Sequence, residues 1–150
     1  MRIEDFNEVI DFAIEREKEA VQFYRDLQKM VKFKAQVDLL KELEDMEKGH
    51  IVILEKIRKE GPEKAEPQAV QNLKISDYLV EAKPTSEMSY QDILITAMKR
   101  EEKSYQLYTD LANEYKGTEL SKVFEKIASE EAQHKLKFEK IYDEEFYKEN

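Results

Sequence analysis

Apolar residues recur at helical spacing in four segments of the chain, which predicts an all-α protein. In the first segment they follow one another at steps of three, four or seven, the pattern of a helix with one buried face. The other three segments show the same spacing. The four predicted helices cover about residues 3–31, 34–59, 90–115 and 119–142.

The helix ends and one long connection set the predicted topology. Ser89 and Thr118 are predicted N-caps of the third and fourth helices, and Gly61 is predicted to end the second. Residues 60–88 form the long connection, with a short helix predicted at about residues 75–80. Extended at about 3.3 Å per residue, it can return the chain along a helix of roughly 39 Å. We therefore expect one domain over residues 1–150, a four-helix bundle in which this crossover makes helices two and three parallel.

The two halves of the chain are a repeat. A shift of 84 positions superimposes them without a gap through each helix–turn–helix. Two similar helical hairpins can pack with pseudo-twofold symmetry, so residues that matter at the axis should occur in pairs. The matched pairs include Ala13 and Ala97, Arg16 and Arg100, Glu17 and Glu101, Tyr24 and Tyr108, Glu47 and Glu131, and His50 and His134.

Both histidines of the chain belong to Glu-x-x-His motifs, Glu47 to His50 and Glu131 to His134. Three residues make nearly one helical turn, so each Glu and His share a helix face. The two glutamates stand at core spacing from the apolar residues of their helices. A single motif of this kind is more often a surface feature. Its occurrence twice, in register and on core faces, indicates a metal site.

The first and third helices each add one glutamate at a core position. Glu17 and Glu101 each lie 30 residues before the glutamate of the following motif. Four ionised carboxylates could not share a core without cations, and two divalent cations would balance their charge. Oxygen ligands with two imidazoles suit iron or manganese and tolerate zinc. Tyr24 and Tyr108 either donate hydrogen bonds to these ligands or only pack beside them.

The composition removes several classes of function. A formal net charge of −9 argues against nucleic acid and against anionic membrane surfaces as partners. The absence of cysteine excludes disulfides, iron–sulfur clusters and a four-cysteine iron centre. The first residues do not read as a signal peptide, and no apolar run is long enough to span a membrane, so the cytoplasm is the expected location.

The six ligand candidates resemble those of the ferritin-like di-iron carboxylate superfamily, and most closely the helical domain of rubrerythrins. The resemblance covers about residues 3–142. It implies two iron ions held by Glu17, Glu47, His50, Glu101, Glu131 and His134. The rubredoxin module that supplies electrons in rubrerythrins is absent from this sequence, so a separate donor protein such as rubredoxin is expected. Ser104 stands where rubrerythrins typically carry a further glutamate, which puts rubrerythrin-style peroxide reduction in doubt.

The resemblance implies an oxidoreductase that reduces peroxide or dioxygen in oxidative-stress defence. The alternatives are iron storage with ferroxidase activity, a non-catalytic bundle with a structural metal, and a site like that of manganese catalase. Residues 51–54 are apolar on more than one helix face, so either the long connection or a second subunit of a homodimer is expected to cover them.

Overall fold

The computed structural model describes residues 6–61, Tyr78 and residues 88–146, in which four helices are present and short turns join the first helix to the second and the third to the fourth. The expectation of an all-α protein is confirmed, and the helix boundaries agree with the predicted ones to within a few residues. The helices are α1 (Phe6–Gln28), α2 (Lys34–Glu60), α3 (Tyr90–Glu114) and α4 (Glu119–Phe146).

Local chemistry fixes the ends of these helices. The Ser89 hydroxyl accepts a hydrogen bond from the backbone N–H of Asp92 at 3.1 Å, so the predicted cap of α3 is present. Thr118 caps α4 in the same way by accepting from the N–H of Ser121 at 3.4 Å. Gly61 ends α2 with φ of 83°, a conformation that favours glycine.

The direction of α2 relative to α1 follows from two ion pairs. Arg58, near the end of α2, contacts Asp11 near the start of α1 at 2.9 Å. Arg25, near the end of α1, contacts Glu44 in the first half of α2 at 3.2 Å. Late residues of one helix therefore meet early residues of the other, and the two helices are antiparallel.

The directions of α1 and α3 complete the topology. Tyr24, seven residues after Glu17 on α1, reaches Glu101 at the middle of α3, and Tyr108, seven residues after Glu101 on α3, reaches back to Glu17. Helix α1 is thus antiparallel to both α2 and α3, so α2 and α3 are parallel, as predicted. The crossover of residues 60–88 lies largely outside the described residues, and so does its predicted helix at 75–80, apart from Tyr78. The buried Tyr78 donates a hydrogen bond to Asp110 of α3 at 2.7 Å.

Two apolar clusters fill the bundle, one on each side of its middle. The first includes Ile10, Leu54, Leu111 and Phe124, and the second includes Leu27, Leu43, Leu94 and Phe138. The buried charged residues lie along the helices between these two clusters. None of the described helices combines the length and apolar character needed to cross a bilayer.

The apolar run 51–54 is only partly covered. Leu54 is fully buried in the core, and Ile53 packs against the first cluster. Val52 is 69% exposed in the described part of the chain. What covers Val52, the connection or a second copy, stays a prediction.

Candidate metal centre

Six buried side chains from all four helices converge midway along the bundle. They are the six residues predicted from the sequence, and each is at most 3% exposed: Glu17, Glu47, His50, Glu101, Glu131 and His134. Each lies on the apolar stripe of its helix, so folding the stripes together brings all six to one level. Burial of so many ionisable groups at one point is costly unless they are paired with charge.

The six residues form two groups of four that share two members. Glu17 and His50 belong to one group, and Glu101 and His134 belong to the other, while Glu47 and Glu131 belong to both. Within each group the ligand atoms lie within 4.8 Å of one another. This geometry offers two adjacent cation positions with two carboxylates between them, and the pseudo-twofold repeat explains why the positions match.

Both histidines face the cluster through the same ring nitrogen, Nδ1. For His50 that atom lies 3.2 Å from Glu17 Oε2 and 3.2 Å from Glu131 Oε1. For His134 it lies 3.4 Å from Glu47 Oε1 and 3.5 Å from Glu101 Oε2. Each imidazole can therefore offer Nδ1 to a cation among the carboxylates.

The two predicted tyrosines contact the ligands, but across the repeat. Tyr24 of α1 donates a hydrogen bond to Glu101 of α3, and Tyr108 of α3 donates one to Glu17 of α1 at 2.9 Å. Both tyrosines are fully buried, and each ring stacks on a phenylalanine of α4. Each hydroxyl thus holds one oxygen of a glutamate, which leaves the second oxygen for another partner.

Unsatisfied oxygen atoms show that the site fits cations. Both carboxylate oxygens of Glu47 and of Glu131 are buried without a hydrogen-bond partner, as are Glu101 Oε2 and His134 Nδ1. Leaving one buried polar atom unpaired costs about 1–3 kcal/mol, and more for a charged group. Divalent cations would occupy these lone pairs, and oxygen ligands with two imidazoles match the preferences of iron and manganese.

The electrostatics of the metal-free site lead to the same conclusion. Burial raises the pKa of Glu47 well above its usual value, and the carboxylates of Glu131 and Glu17 raise it further. Burial also raises the pKa of Glu101 to about 8. Burial alone would lower the pKa of His50, but the nearby carboxylates of Glu131 and Glu17 raise it to about 11. The cluster therefore retains protons until cations replace them.

Two further glutamates at the site escaped the sequence reasoning. Glu130 lies with Oε1 3.2 Å from Nε2 of His50, on the ring edge that faces away from the cluster. Glu44 is buried on α2, but it is bound by Lys48 at 2.7 Å and by Gln28 and Arg25. The hydrogen bond from Lys48 lowers the pKa of Glu44 to about 2, despite its burial. Only the position of Glu130 beside a ligand could have signalled its role.

Comparisons with known proteins identify similar chains and similar folds. Residues 92–150 match the family model of rubrerythrin. A crystal structure from Thermotoga maritima, described as a candidate ferritin-like diiron-carboxylate protein, is 21% identical, with a TM-score of 0.80 and 96% of each chain covered. A hypothetical protein from Pyrococcus furiosus is 23% identical, with a TM-score of 0.70, covering 91% of this chain and 87% of its own. The curated proteins include no match. The ferritin-like fold expected from the sequence is confirmed.

Proposed function

We propose that this chain, which has a ferritin-like fold, holds two iron ions and reduces peroxide or dioxygen with electrons from a separate protein. The observation that carries the proposal is the sharing of Glu47 and Glu131 by two ligand groups, with all four of their oxygens unpaired. When bound, the two ferrous ions supply two electrons, which with two protons convert hydrogen peroxide to two waters.

The protein's own residues divide into holding and orienting groups. Glu17 with His50 would hold one ion and Glu101 with His134 would hold the other, with Glu47 and Glu131 available to both groups. Tyr24 and Tyr108 keep Glu101 and Glu17 turned toward the ions through their hydrogen bonds. The apolar clusters on either side keep bulk water away from the carboxylates. Four carboxylate charges balance two divalent ions, so the loaded site is neutral.

Electrons for repeated turnover come from outside the chain. The sequence has no cysteine, so it offers no iron–sulfur or rubredoxin-type relay to the buried site. The net charge of −9 favours a donor protein with a basic docking patch. Rubredoxin is the donor that the rubrerythrin match suggests, and defence against oxidative stress in the cytoplasm is the corresponding role.

Stopped-flow spectroscopy of the protein loaded with Fe(II) tests the proposal. After mixing with hydrogen peroxide or dioxygen, we expect oxidation much faster than for free Fe(II) at equal concentration. In steady-state assays we expect continued turnover only when reduced rubredoxin and a system to regenerate it are present. The Glu47→Gln variant is the matched control, because glutamine has nearly the same shape as glutamate but removes one of the two shared carboxylates.

Three results would redirect the assignment. If bound Fe(II) is oxidised no faster than free Fe(II) by either oxidant, the metal has a structural role and the protein is not an oxidoreductase. Uptake of iron far above two ions per chain would indicate storage with ferroxidase activity. Peroxide disproportionation by the manganese-loaded protein without a reductant would indicate a catalase-like site.

A further inference from the structure

One feature of the site departs from its pseudo-twofold symmetry. Glu130, on α4, places Oε1 3.2 Å from Nε2 of His50, on α2. The opposite ring nitrogen of His50 points into the cluster, 3.2 Å from Glu17 Oε2 and from Glu131 Oε1. The ring of His50 is therefore held at both ends, by Glu130 outside the cluster and by the carboxylates inside it.

Among the residues that the structure describes, the other half of the repeat has no equivalent contact. Under the repeat shift of 84 positions, the residue of the first half that corresponds to Glu130 is Met46. A thioether is at best a weak acceptor for a ring N–H. Among the described residues, the carboxylates near His134 all approach its Nδ1 atom and none approaches Nε2. The contact also differs from the usual pairing of residues four apart on one helix. Glu130 lies four residues before His134 on α4, yet its side chain contacts His50 on α2.

The contact has a defined effect on a histidine that binds a cation through Nδ1. Such a ring is neutral and carries its proton on Nε2, so a carboxylate that accepts from Nε2–H fixes both the tautomer and the ring orientation. The same bond makes the opposite nitrogen a better donor to a metal. Loss of a contact of this type typically weakens metal binding about 10–100-fold. His50 has this support from Glu130, whereas no described carboxylate gives it to His134.

We infer that Glu130 is a positioning residue that makes the two metal positions unequal, so that the position held by Glu17 and His50 binds its ion more tightly and fills first. The inference rests on the proposed two-metal site and goes beyond it by assigning an order of loading. Glu130 touches neither ion in this assignment and acts only through His50.

The test uses Zn(II), which has no redox chemistry, added stepwise to metal-free protein labelled with ¹⁵N-histidine. The chain has only two histidines, so each gives its own side-chain signals. At one equivalent of Zn(II) we expect the His50 signals to change in most molecules and the His134 signals in few, with His50 protonated on Nε2. Calorimetry of the same titration gives the affinity of each step.

Two reciprocal variants separate a positioning role from a structural one. Glu130→Met gives both halves the same residue, and we expect its first binding step to weaken about 10–100-fold and the first ion to distribute between both positions. Met46→Glu gives both halves a carboxylate, and we expect its second step to strengthen. Glu130→Asp should restore part of the preference, and the exposed Glu125 on α4 provides the control variant Glu125→Gln.

The outcomes distinguish the inference from the proposed function. Binding of two ions with His50 and His134 responding equally in the wild type would overturn the inference alone. The inference would also be overturned if the first ion still preferred His50, to the same extent as in wild type, in Glu130→Met. If Glu130→Met does not fold, the same result in Met46→Glu would overturn it. Binding of fewer than two ions per chain would remove the proposed function and the inference together.

Discussion

The hydroxyl of Tyr108 on α3 donates a hydrogen bond to Glu17 on α1 at 2.9 Å, and Tyr24 on α1 makes the reciprocal bond to Glu101 on α3. Each tyrosine therefore bonds a clustered glutamate of the opposite half of the repeat. These two bonds connect the helical hairpins at the cluster itself.

Replacing either tyrosine with phenylalanine should weaken metal binding while leaving the core packed. Tyr24→Phe and Tyr108→Phe keep the rings that stack on α4 and remove only the hydroxyl groups. We expect metal affinity to fall about tenfold or more and the free energy of unfolding to fall by about 1 kcal/mol. Calorimetric metal titration and denaturant unfolding measure both. Tyr105→Phe, at a 37% exposed position, is the control. Affinities equal to wild type in both variants would show that these bonds do not orient the ligands.

The pH dependence of stability should change sign when metal binds. In the metal-free protein the pKa of Glu101 is about 8 and that of His50 about 11, both above their values in an unfolded chain. Groups of this kind contribute stability that is complete below the unfolded pKa and is lost as pH rises toward the folded pKa. Metal-free protein should therefore become less stable from about pH 5 to pH 9.

The metal-loaded protein should show the opposite trend over the same range. Cations displace protons from the ligands, so metal binding strengthens as pH rises and adds stability by mass action. Melting temperatures measured at several pH values, with chelator or with Zn(II), compare the two forms. Equal melting temperatures with and without metal at pH 8 would contradict a buried charged site.

Adding a carboxylate at position 104 should raise the rate of oxidation by peroxide. Ser104 lies three residues after Glu101 on α3, and it lines a small cavity between α1 and α3 together with Arg100 and Ala20. Ser104→Glu would place a carboxylate on the same helix face as Glu101, within reach of the site. Stopped-flow rates should exceed those of wild type and of Ser104→Gln, the uncharged control. A rate no higher than that of Ser104→Gln would mean that the new carboxylate does not reach the metal, for instance because it pairs with Arg100.

Gly49→Ala should stabilise the protein. Gly49 lies inside α2 between the ligands Glu47 and His50, and it is exposed. A Cβ atom added there meets no other atom within 4 Å, so no close packing in the described chain requires glycine. We expect a gain of about 0.5–1 kcal/mol in the free energy of unfolding, since glycine costs that much in a helix interior. Loss of stability, or a change in mass by light scattering, would show that another surface packs against Gly49.

The six clustered residues were predictable from the sequence because their signal is local and repeated. Glu47 and His50 share a helix face by their spacing, and the second half of the chain repeats that face in register. The partner of Tyr24 was not predictable in this way. Its hydroxyl reaches Glu101 on a different helix, and that choice depends on how α1 and α3 pack against each other.

Glu130 and Glu44 both show that sequence spacing alone does not predict the contacts of a side chain. Glu130 is one residue from Glu131 and no spacing in the sequence distinguishes it, yet it contacts His50 across the α2–α4 interface. Glu44 is buried like a ligand, and only its three-dimensional partners, Lys48, Gln28 and Arg25, show that its charge is already balanced. Spacing identifies the helix face on which a residue lies, whereas contacts between helices decide what its side chain does.

A metal titration of two glutamate variants tests the central claim most directly. Glu47 and Glu44 are both buried and lie three residues apart on α2, but only Glu47 has both oxygens unpaired within the cluster. Fe(II) added anaerobically to wild type and to Glu44→Gln should bind at two ions per chain, with Glu44→Gln losing about 1–3 kcal/mol of stability instead. Glu47→Gln should hold at most one ion tightly. Wild-type protein that binds no iron, or Glu47→Gln that binds two ions as tightly as wild type, would contradict a two-metal centre built on shared carboxylates.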